Sequence, residues 1–311
     1  MRILVTGGAG FIGSHVVDRF VADGHAVVVV DNLSTGRRTN LNPGIAAFYE
    51  LDIQDTAAID DVFATHEPEA VSHQAALANV RESMNEPVRY AATNLLGSIV
   101  LLEAARRHNC QHFIYASTGG AVYGEPQFLP VTEDHPVNPL DPYGASKHAV
   151  EHYLFLYQHN YGLTYTVLRY PNVYGPRQDP YGEAGVVAIF TAAMQAGRPV
   201  TINGSGEQQR DFLYVGDVAA ANALALTQRA CGIYNLGTGV GTSINQLFTH
   251  LQAVIGYTQA PHYGPAKPGE VFQIYTDASK AQHELGWSPR YDLRTGLQAV
   301  VESFTQGDRP G

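Results

Sequence analysis

A tyrosine and a lysine stand four residues apart at Tyr143 and Lys147, directly after Asp141 and Pro142. Asp at the N-cap and Pro at the first helical position predict that a helix begins there, so both side chains share one helix face. A phenol with a pKa near ~10 is a poor base, and lowering that pKa to near ~7 takes about 4 kcal/mol, which a close ammonium group can supply. The pair indicates a tyrosine that exchanges a proton with a substrate hydroxyl, although the same spacing also occurs on solvated helices.

Three glycines, Gly7, Gly10 and Gly13, follow the apolar run 2–6 and lead into a helical pattern over 14–23. Between a strand and a helix, such glycines allow a tight turn, close backbone approach to a pyrophosphate and close helix–strand packing. The helix N-terminus adds free N–H groups and a positive dipole end for the phosphates. A glycine-rich turn without a ligand is the alternative interpretation.

A second apolar run, 26–30, ends on Asp31 and completes a strand–helix–strand unit. A carboxylate at this position accepts hydrogen bonds from the ribose hydroxyls of adenosine and repels a 2′-phosphate. The unit therefore predicts a bound NAD in preference to NADP, and the closely following Arg37 and Arg38 weaken that preference.

Strand-like and helix-like segments alternate through the first half of the chain, which is typical of a parallel sheet wound by right-handed crossovers. We predict an α/β fold, a Rossmann-like doubly wound parallel sheet with a smaller C-terminal substrate-binding lobe. The dinucleotide-binding domain is expected over 1–170, with about 212–238 returning to it, and the lobe over 171–211 and 239–311. Further strands are predicted at 47–51, 70–73, 113–117, 165–168 and 212–215, and helices at 57–66, 88–108, 142–160, 186–197, 217–228, 244–255 and 277–285.

The composition is that of an ordinary globular protein, with 311 residues, 45% of them hydrophobic and 15% charged. A net charge of −10 argues against nucleic acid or an anionic membrane as a main partner. The N-terminal apolar run is too short to span a membrane and lacks signal-peptide features, so a soluble cytoplasmic protein is expected.

The two cysteines, Cys110 and Cys231, have neither the spacing of a disulfide framework nor that of metal ligands. His148 and His152 have a spacing that could hold zinc, but no third ligand suggests itself, so no metal is expected.

The motifs resemble those of the extended short-chain dehydrogenase/reductase family, and within it the UDP-glucose 4-epimerases. The resemblance covers essentially the whole chain. It rests on segments 6–14, 31–33, 73–76, 143–147, 168–177, 209–212 and 277–281, together with Asn94.

The resemblance implies NAD as the cofactor, with backbone N–H groups of Phe11 and Ile12 at the pyrophosphate and Lys147 at the nicotinamide ribose. It implies Tyr143 as the catalytic base. The third catalytic residue is a Ser or Thr after the strand at 113–117; we choose Thr118, and Ser117 stays open. The full set implied for the cofactor is Gly7, Gly10, Phe11, Ile12, Gly13, Asp31, Asn32, Leu33, Thr35, Gly36, Asp52, Ile53, Gln74, Ala75, Ala76, Asn94, Tyr143, Lys147 and Pro171.

For the substrate, the resemblance implies a UDP-sugar whose diphosphate contacts Asn172 and Arg210. Lys267 stands where the family often has a second Arg, and Ile274 stands at the position that limits sugar size. The full set implied for the substrate is Thr118, Asn172, Val186, Val187, Thr201, Asn203, Arg210, Lys267 and Glu270.

Two glycines, Gly119 and Gly120, follow Thr118 where the related dehydratases place acidic residues. Without an acid to eliminate water, hydride return is the simplest fate of a 4-keto intermediate, which predicts epimerisation at carbon 4. The alternatives are a UDP-glucuronate or UDP-N-acetylhexosamine 4-epimerase, or a non-catalytic dinucleotide-sensing regulator. The resemblance also implies a homodimer through the helices at 88–108 and 142–160; packing within the monomer is the alternative role of those helices.

Overall fold

A computed structural model describes residues 1–181, 185–266 and 271–305 of the chain. Its strands, in chain order, are β1 Arg2–Thr6, β2 Ala26–Asp31, β3 Ala47–Glu50, β4 Ala70–His73, β5 His112–Thr118, β6 Thr164–Tyr170, β7 Asn172–Tyr174, β8 Thr201–Asn203, β9 Gln209–Arg210, β10 Phe212–Tyr214, β11 Gly232–Asn235, β12 Thr242–Ser243, β13 His262–Gly264 and β14 Gln273–Ile274. Seven of them form the main sheet in the order β11-β6-β5-β4-β1-β2-β3, and every neighbouring pair is parallel.

Eleven α-helices connect these strands within the described residues. They are α1 Phe11–Ala22, α2 Thr56–His66, α3 Val80–Asn85, α4 Pro87–Tyr90, α5 Gly97–Arg107, α6 Pro142–Tyr161, α7 Val186–Gln195, α8 Val215–Gln228, α9 Ile244–Ile255, α10 Ser279–Leu285 and α11 Leu293–Thr305. The helix predicted over 88–108 is interrupted: a π-helical segment, Ala91–Leu96, joins α4 to α5. The predicted cap of α6 is confirmed, since the Asp141 carboxylate accepts a hydrogen bond from the Gly144 N–H at 2.7 Å.

Helices cover both faces of the sheet because successive strand residues point to opposite sides. On β1, Ile3 and Val5 are buried with α1 and α8, whereas Leu4 is buried with α2, α5 and α6. Such strands, apolar on both faces, are typical of doubly wound parallel sheets. The predicted Rossmann-like fold is therefore confirmed.

The second half of the chain builds a separate apolar cluster from α7, α9 and α11, with Phe190, Leu247 and Val300 buried in it. Its strands are short pairs and triplets rather than one large sheet. Between these segments the chain returns to the main sheet, where β11 pairs with β6. Within the described residues, no helix is long and apolar enough to cross a membrane.

Candidate active site

A cleft of about 1440 Å³ opens at the carboxyl ends of the sheet strands and is bounded on its other side by the C-terminal helices and short strands. Ligands of open α/β sheets bind in this position. The cleft is lined by most of the predicted site residues, namely Gly7, Gly10, Phe11, Ile12, Gly13, Asp31, Asn32, Thr35, Asp52, Ile53, Gln74, Ala75, Ala76, Thr118, Tyr143, Pro171, Asn172, Val186, Thr201, Asn203 and Arg210.

Five predicted residues are described but do not line the cleft, namely Leu33, Gly36, Asn94, Lys147 and Val187. Val187 is buried in the apolar cluster of the lobe, one residue beyond the cleft-lining Val186. Ile274 is also buried, in a small cluster with Val122 and Val131. Lys267 and Glu270 lie outside the described residues.

The glycine loop is closed so tightly that side chains would not fit in it. Gly7 has a φ of +69°, and a Cβ there would lie 2.6 Å from the Ala75 nitrogen. A Cβ on Gly13 would lie 2.0 Å from the Gly7 carbonyl oxygen. The first helix begins at Phe11, three residues before the start predicted at residue 14. Gly13 therefore lies in the first turn of this helix, where it packs against the glycine loop. This cradle and the helix N-terminus fit a dinucleotide pyrophosphate.

Asp31 is the last residue of β2 and is buried at the cleft. Its carboxylate accepts hydrogen bonds from the N–H groups of Ala9, at 2.9 Å, and Leu33, at 2.8 Å. Burial raises the pKa of Asp31, and the backbone donors oppose that rise. A Cβ on Gly36 would lie 2.8 Å from the carboxylate. Leu33 and Gly36 thus contact the Asp31 carboxylate, the predicted ribose-binding group, without lining the cleft.

The two arginines that weakened the preference for NAD are each paired with a carboxylate. The Arg38 guanidinium donates to Glu50, and Arg37 donates to Asp179 at 3.4 Å. These carboxylates offset the positive charge that would attract a 2′-phosphate, which agrees with the preference for NAD predicted from Asp31.

Tyr143 lines the cleft, and Lys147 is buried one helical turn further along α6. The Lys147 ammonium lies 4.4 Å from the centroid of the buried Tyr115 ring. Burial lowers the pKa of Lys147 to about 7, and the negative charge of Glu151 opposes that shift. The ammonium group of Lys147 therefore lies inside the protein, four residues after Tyr143 on the same helix.

The hydroxyl groups of Ser117 and Thr118 have different surroundings at the end of β5. Ser117 also lines the cleft, but its Oγ donates to the buried Glu151 Oε1 at 2.6 Å, so its proton is already engaged. Thr118 Oγ1 accepts a hydrogen bond from the Gly120 N–H at 3.2 Å, which leaves its own proton for another acceptor. This arrangement favours Thr118 as the residue that contacts a substrate.

A buried ion pair that we did not predict from the sequence lies under these residues. Arg169 Nε and Nη2 donate to the two carboxylate oxygens of Glu151, at 2.9 and 2.6 Å. Burial alone would raise the pKa of Glu151, but hydrogen bonds from Arg169, His148 and Ser117 outweigh it and lower that pKa to about 2. Glu151 follows Lys147 by four residues on α6, and this spacing is the one signal that could have revealed it.

His148 Nδ1 donates to Glu151 Oε2 across 3.1 Å, so the partner of this histidine is a carboxylate. Among the described residues, no three His, Cys, Asp or Glu side chains are grouped to hold a metal ion.

Asn94 acts on the loop after β4 and not on the cleft itself. Its amide accepts from the Leu77 N–H at 2.9 Å and donates to the Leu77 carbonyl and Ser146 Oγ, both at 3.0 Å. The side chain therefore fastens the loop that carries Ala75 and Ala76 to α6, which holds the predicted catalytic pair.

The opposite wall of the cleft depends on Asp211, whose importance the sequence did not reveal. Its buried carboxylate accepts from the N–H groups of Thr238, Gly239 and Thr276 and from the Thr238 hydroxyl. Its backbone carbonyl accepts from the Asn172 N–H at 3.0 Å. Asp211 thus joins three distant segments directly beside Arg210 and Asn172.

Comparisons with known proteins agree with this geometry. The model of the NAD dependent epimerase/dehydratase family matches residues 3–237. A putative UDP-glucose 4-epimerase of Methanocaldococcus jannaschii is 48% identical over 307 residues, which is 99% of each chain. The crystal structure of a Thermotoga maritima UDP-glucose 4-epimerase with UDP-glucose superposes with a TM-score of 0.96 at 50% identity, over 98% of this chain and 99% of that one. The UDP-glucose 4-epimerase of Thermus thermophilus in complex with NAD gives a TM-score of 0.93 at 44% identity, over 99% and 100% of the two chains.

Proposed function

This chain belongs to the NAD dependent epimerase/dehydratase family, and we propose that it is a UDP-glucose 4-epimerase, which interconverts UDP-glucose and UDP-galactose. The observation that carries this proposal is the placement of Tyr143 and Thr118 in one cleft with the glycine loop, while Gly119 and Gly120 stand where a dehydratase needs acids. A site that can remove and return hydrogen at carbon 4, but cannot eliminate water, is limited to epimerisation.

The proton chemistry falls to Tyr143, Lys147 and Thr118. NAD, when bound, supplies the hydride acceptor at carbon 4 and the donor that returns the hydride. Tyr143 takes the proton of the sugar 4-hydroxyl and later gives it back, and Thr118 donates a hydrogen bond to the same oxygen. Positive charge on Lys147 favours the phenolate form of Tyr143.

The lobe wall holds the nucleoside diphosphate while the sugar turns. Arg210 and Asn172 bind the diphosphate, so the 4-keto sugar can rotate about its diphosphate link and present its other face. Val186, Val187, Thr201 and Asn203 are assigned to the nucleoside side of the site. Lys267 and Glu270 complete that assignment by resemblance alone.

We also propose that the chain forms two domains, a dinucleotide-binding domain of residues 1–170 and 212–238 and a substrate-binding lobe of residues 171–211 and 239–311. The enzyme is proposed to be cytoplasmic and to act in galactose metabolism.

We further propose a homodimer through the helices at 88–108 and 142–160. Those helices carry exposed apolar side chains, with Val88 81% and Leu96 57% exposed on one and Phe155 49% exposed on the other. A second copy of the same face would cover them, and Phe155→Glu should then shift the sedimentation coefficient to that of a monomer.

The deciding experiment incubates the purified protein with UDP-galactose, without added NAD, and measures UDP-glucose. Conversion is expected, because NAD is regenerated in each cycle. Tyr143→Phe should lower the rate by about 10²- to 10⁴-fold while the NAD content stays unchanged. Loss of conversion with NAD still bound would overturn the substrate assignment in favour of glucuronate or N-acetylated sugars. A keto product that accumulates would overturn epimerisation.

Thr118 and Ser117 can be separated in the same assay. Thr118→Val should lower kcat by about 10²-fold, since it removes a hydrogen bond to the reacting oxygen. Ser117→Ala removes a hydrogen bond to Glu151 instead and should mainly lower stability, by about 1 kcal/mol. The reverse pattern would assign the catalytic role to Ser117.

A further inference from the structure

Residues 176–179, which we call the clasp, leave β7 and cross to the first strand–helix–strand unit. His15 Nε2 lies 3.0 Å from the Pro176 carbonyl oxygen. Arg177 Nη2 donates to Asp18 Oδ2 at 2.6 Å, and Arg37 Nη2 donates to Asp179 Oδ2 at 3.4 Å. Three separate contacts thus bind one short segment to α1 and to the loop after β2.

The clasp lies at the dinucleotide end of the cleft. Arg177, Asp179 and Arg37 line the same cleft as Gly10 and Asp31. The Arg37 N–H also donates to the Ala9 carbonyl of the glycine loop at 2.9 Å. The clasp is therefore connected through Arg37 to the loop that would hold the pyrophosphate.

The contacts of the clasp differ in their response to salt. His15 is largely buried, and burial lowers its pKa to about 4, so at neutral pH it is an uncharged donor to the Pro176 carbonyl. The side chains of the Arg177–Asp18 and Arg37–Asp179 pairs are between 28% and 36% exposed. Partly exposed ion pairs are screened by dissolved salt, so these two contacts weaken as the salt concentration rises.

We propose that the clasp is a cofactor-retaining part of the NAD site, in which the Arg177–Asp18 and Arg37–Asp179 pairs slow release of the dinucleotide. This inference rests on the proposed function and adds to it. An epimerase finishes its cycle only if the hydride taken from the sugar stays in the cleft, so slow cofactor release favours complete turnover. Neither Asp18 nor Asp179 belongs to the glycine fingerprint or to the predicted cofactor residues.

The test measures NAD release from the holoenzyme in the double variant Asp18→Asn/Asp179→Asn. Asparagine retains the oxygen that Asp18 offers to Asn42 and the one that Asp179 offers to the Tyr181 N–H, so mainly the charge facing each arginine is lost. Release is followed in the absence of any sugar, with an excess of an unrelated NAD-binding dehydrogenase as a trap. The double variant should release NAD about five- to tenfold faster than the wild-type protein.

The matched control is Asp23→Asn/Glu67→Gln, which removes the same charge. Asp23, the residue directly after α1, pairs with Arg19, and Glu67 pairs with Arg2 on the surface. If both double variants release NAD at the same rate, the clasp proposal is overturned. Should the clasp variant fold poorly, the wild-type protein alone gives the answer, because its NAD release should accelerate with salt. A salt-independent release rate contradicts the proposal.

Failure of the clasp and failure of the proposed function are distinguishable. NAD release is measured without a UDP-sugar, whereas the function is judged by conversion of UDP-galactose. An active enzyme with a release rate unaffected by the clasp variant would reject only the clasp.

Discussion

The two walls of the cleft are built differently, and the difference predicts where each is vulnerable. On the sheet wall, β1 and β5 run for five and seven residues and are almost entirely buried. On the lobe wall, β9 and β14 are two residues each, and Asp211, directly after β9, accepts hydrogen bonds from Thr238 and Thr276. A wall made by apolar packing tolerates the loss of one polar contact, whereas a wall made by a few polar contacts does not.

The largest effect is expected from a change that breaks the packing of the sheet wall. In Gly13→Ala the new Cβ would lie 2.0 Å from the Gly7 carbonyl oxygen, so the helix must move away from the glycine loop. We expect a loss of about 3 to 4 kcal/mol in the free energy of unfolding, measured with urea, and loss of bound NAD. Gly24→Ala is the control, since no described atom beyond the neighbouring residues lies within 4 Å of the new Cβ. Only the φ of +82° at Gly24 is unfavourable, which costs about 1 kcal/mol. An equal loss in the free energy of unfolding of the two variants would mean that the glycine loop is not closely packed.

The buried Glu151–Arg169 ion pair is a polar contact in the sheet wall, which is otherwise held by apolar packing. Glu151→Gln leaves the buried Arg169 uncompensated and should cost about 3 kcal/mol at pH 7. The pKa of Glu151 is lowered from 4.5 to about 2, so its stabilisation is present above pH 4.5 and is lost as the pH falls from 4.5 to about 2. Urea titrations across that range should show a smaller pH dependence in the variant. Parallel curves would show that Glu151 is not the ionised partner.

A polar contact on the lobe wall should matter more than a comparable one in the sheet. Asp211→Asn places amide hydrogens against the N–H donors of Thr238, Gly239 and Thr276 and should cost about 2 kcal/mol. We expect KM for the UDP-sugar to rise while the NAD content is kept. The counterpart in the sheet is Ser72→Ala, which removes a 3.3 Å hydrogen bond to Asn222 and a 3.0 Å hydrogen bond from Gln74 Nε2. Gln74 Nε2 keeps Asn222 as an acceptor, so this variant should cost only about 1 kcal/mol. Similar losses in the free energy of unfolding of both variants would contradict the proposed difference between the two walls.

The smallest effect is expected from a substitution at Arg210 that changes the geometry of the hydrogen-bond donors but keeps the positive charge. Arg210→Lys keeps a cation on the lobe wall and loses the planar fork of donors, so KM should rise about tenfold with little change in kcat. Arg198→Lys, at an exposed position of the lobe, is the control and should leave both constants unchanged. An equal drop in kcat would place Arg210 at the reacting centre instead.

The same contrast explains what could be predicted from the sequence. The glycine loop, Asp31 and the N-cap at Asp141 are encoded by neighbouring residues, and the structure places each at the cleft or at the start of α6. Strand and helix positions followed from apolar runs and periodicity, which are also local signals. The roles of the individual site residues stay predictions.

What sequence reasoning missed is formed by residues far apart in the chain. Arg177 and Asp18 are separated by 159 residues, and Asp211 and Thr276 by 65. The π-helical segment at Ala91–Leu96 was missed because its apolar pattern continues that of α5. The burial of Lys147 was also not visible, since helical spacing gives the face of a side chain but not the depth at which it lies.

The packing of α8 against α1 has a consequence for how the protein is made. Val16, Val17 and Phe20 on α1 share an apolar cluster with Val218 and Ala221 on α8, nearly two hundred residues later. At ribosomal rates of about 5–20 residues per second, about 10 to 40 s pass between synthesis of the two helices. Throughout that interval α1 lacks the helix that covers this apolar surface in the folded protein, so the first strand–helix–strand unit completes its packing only after α8 has been made.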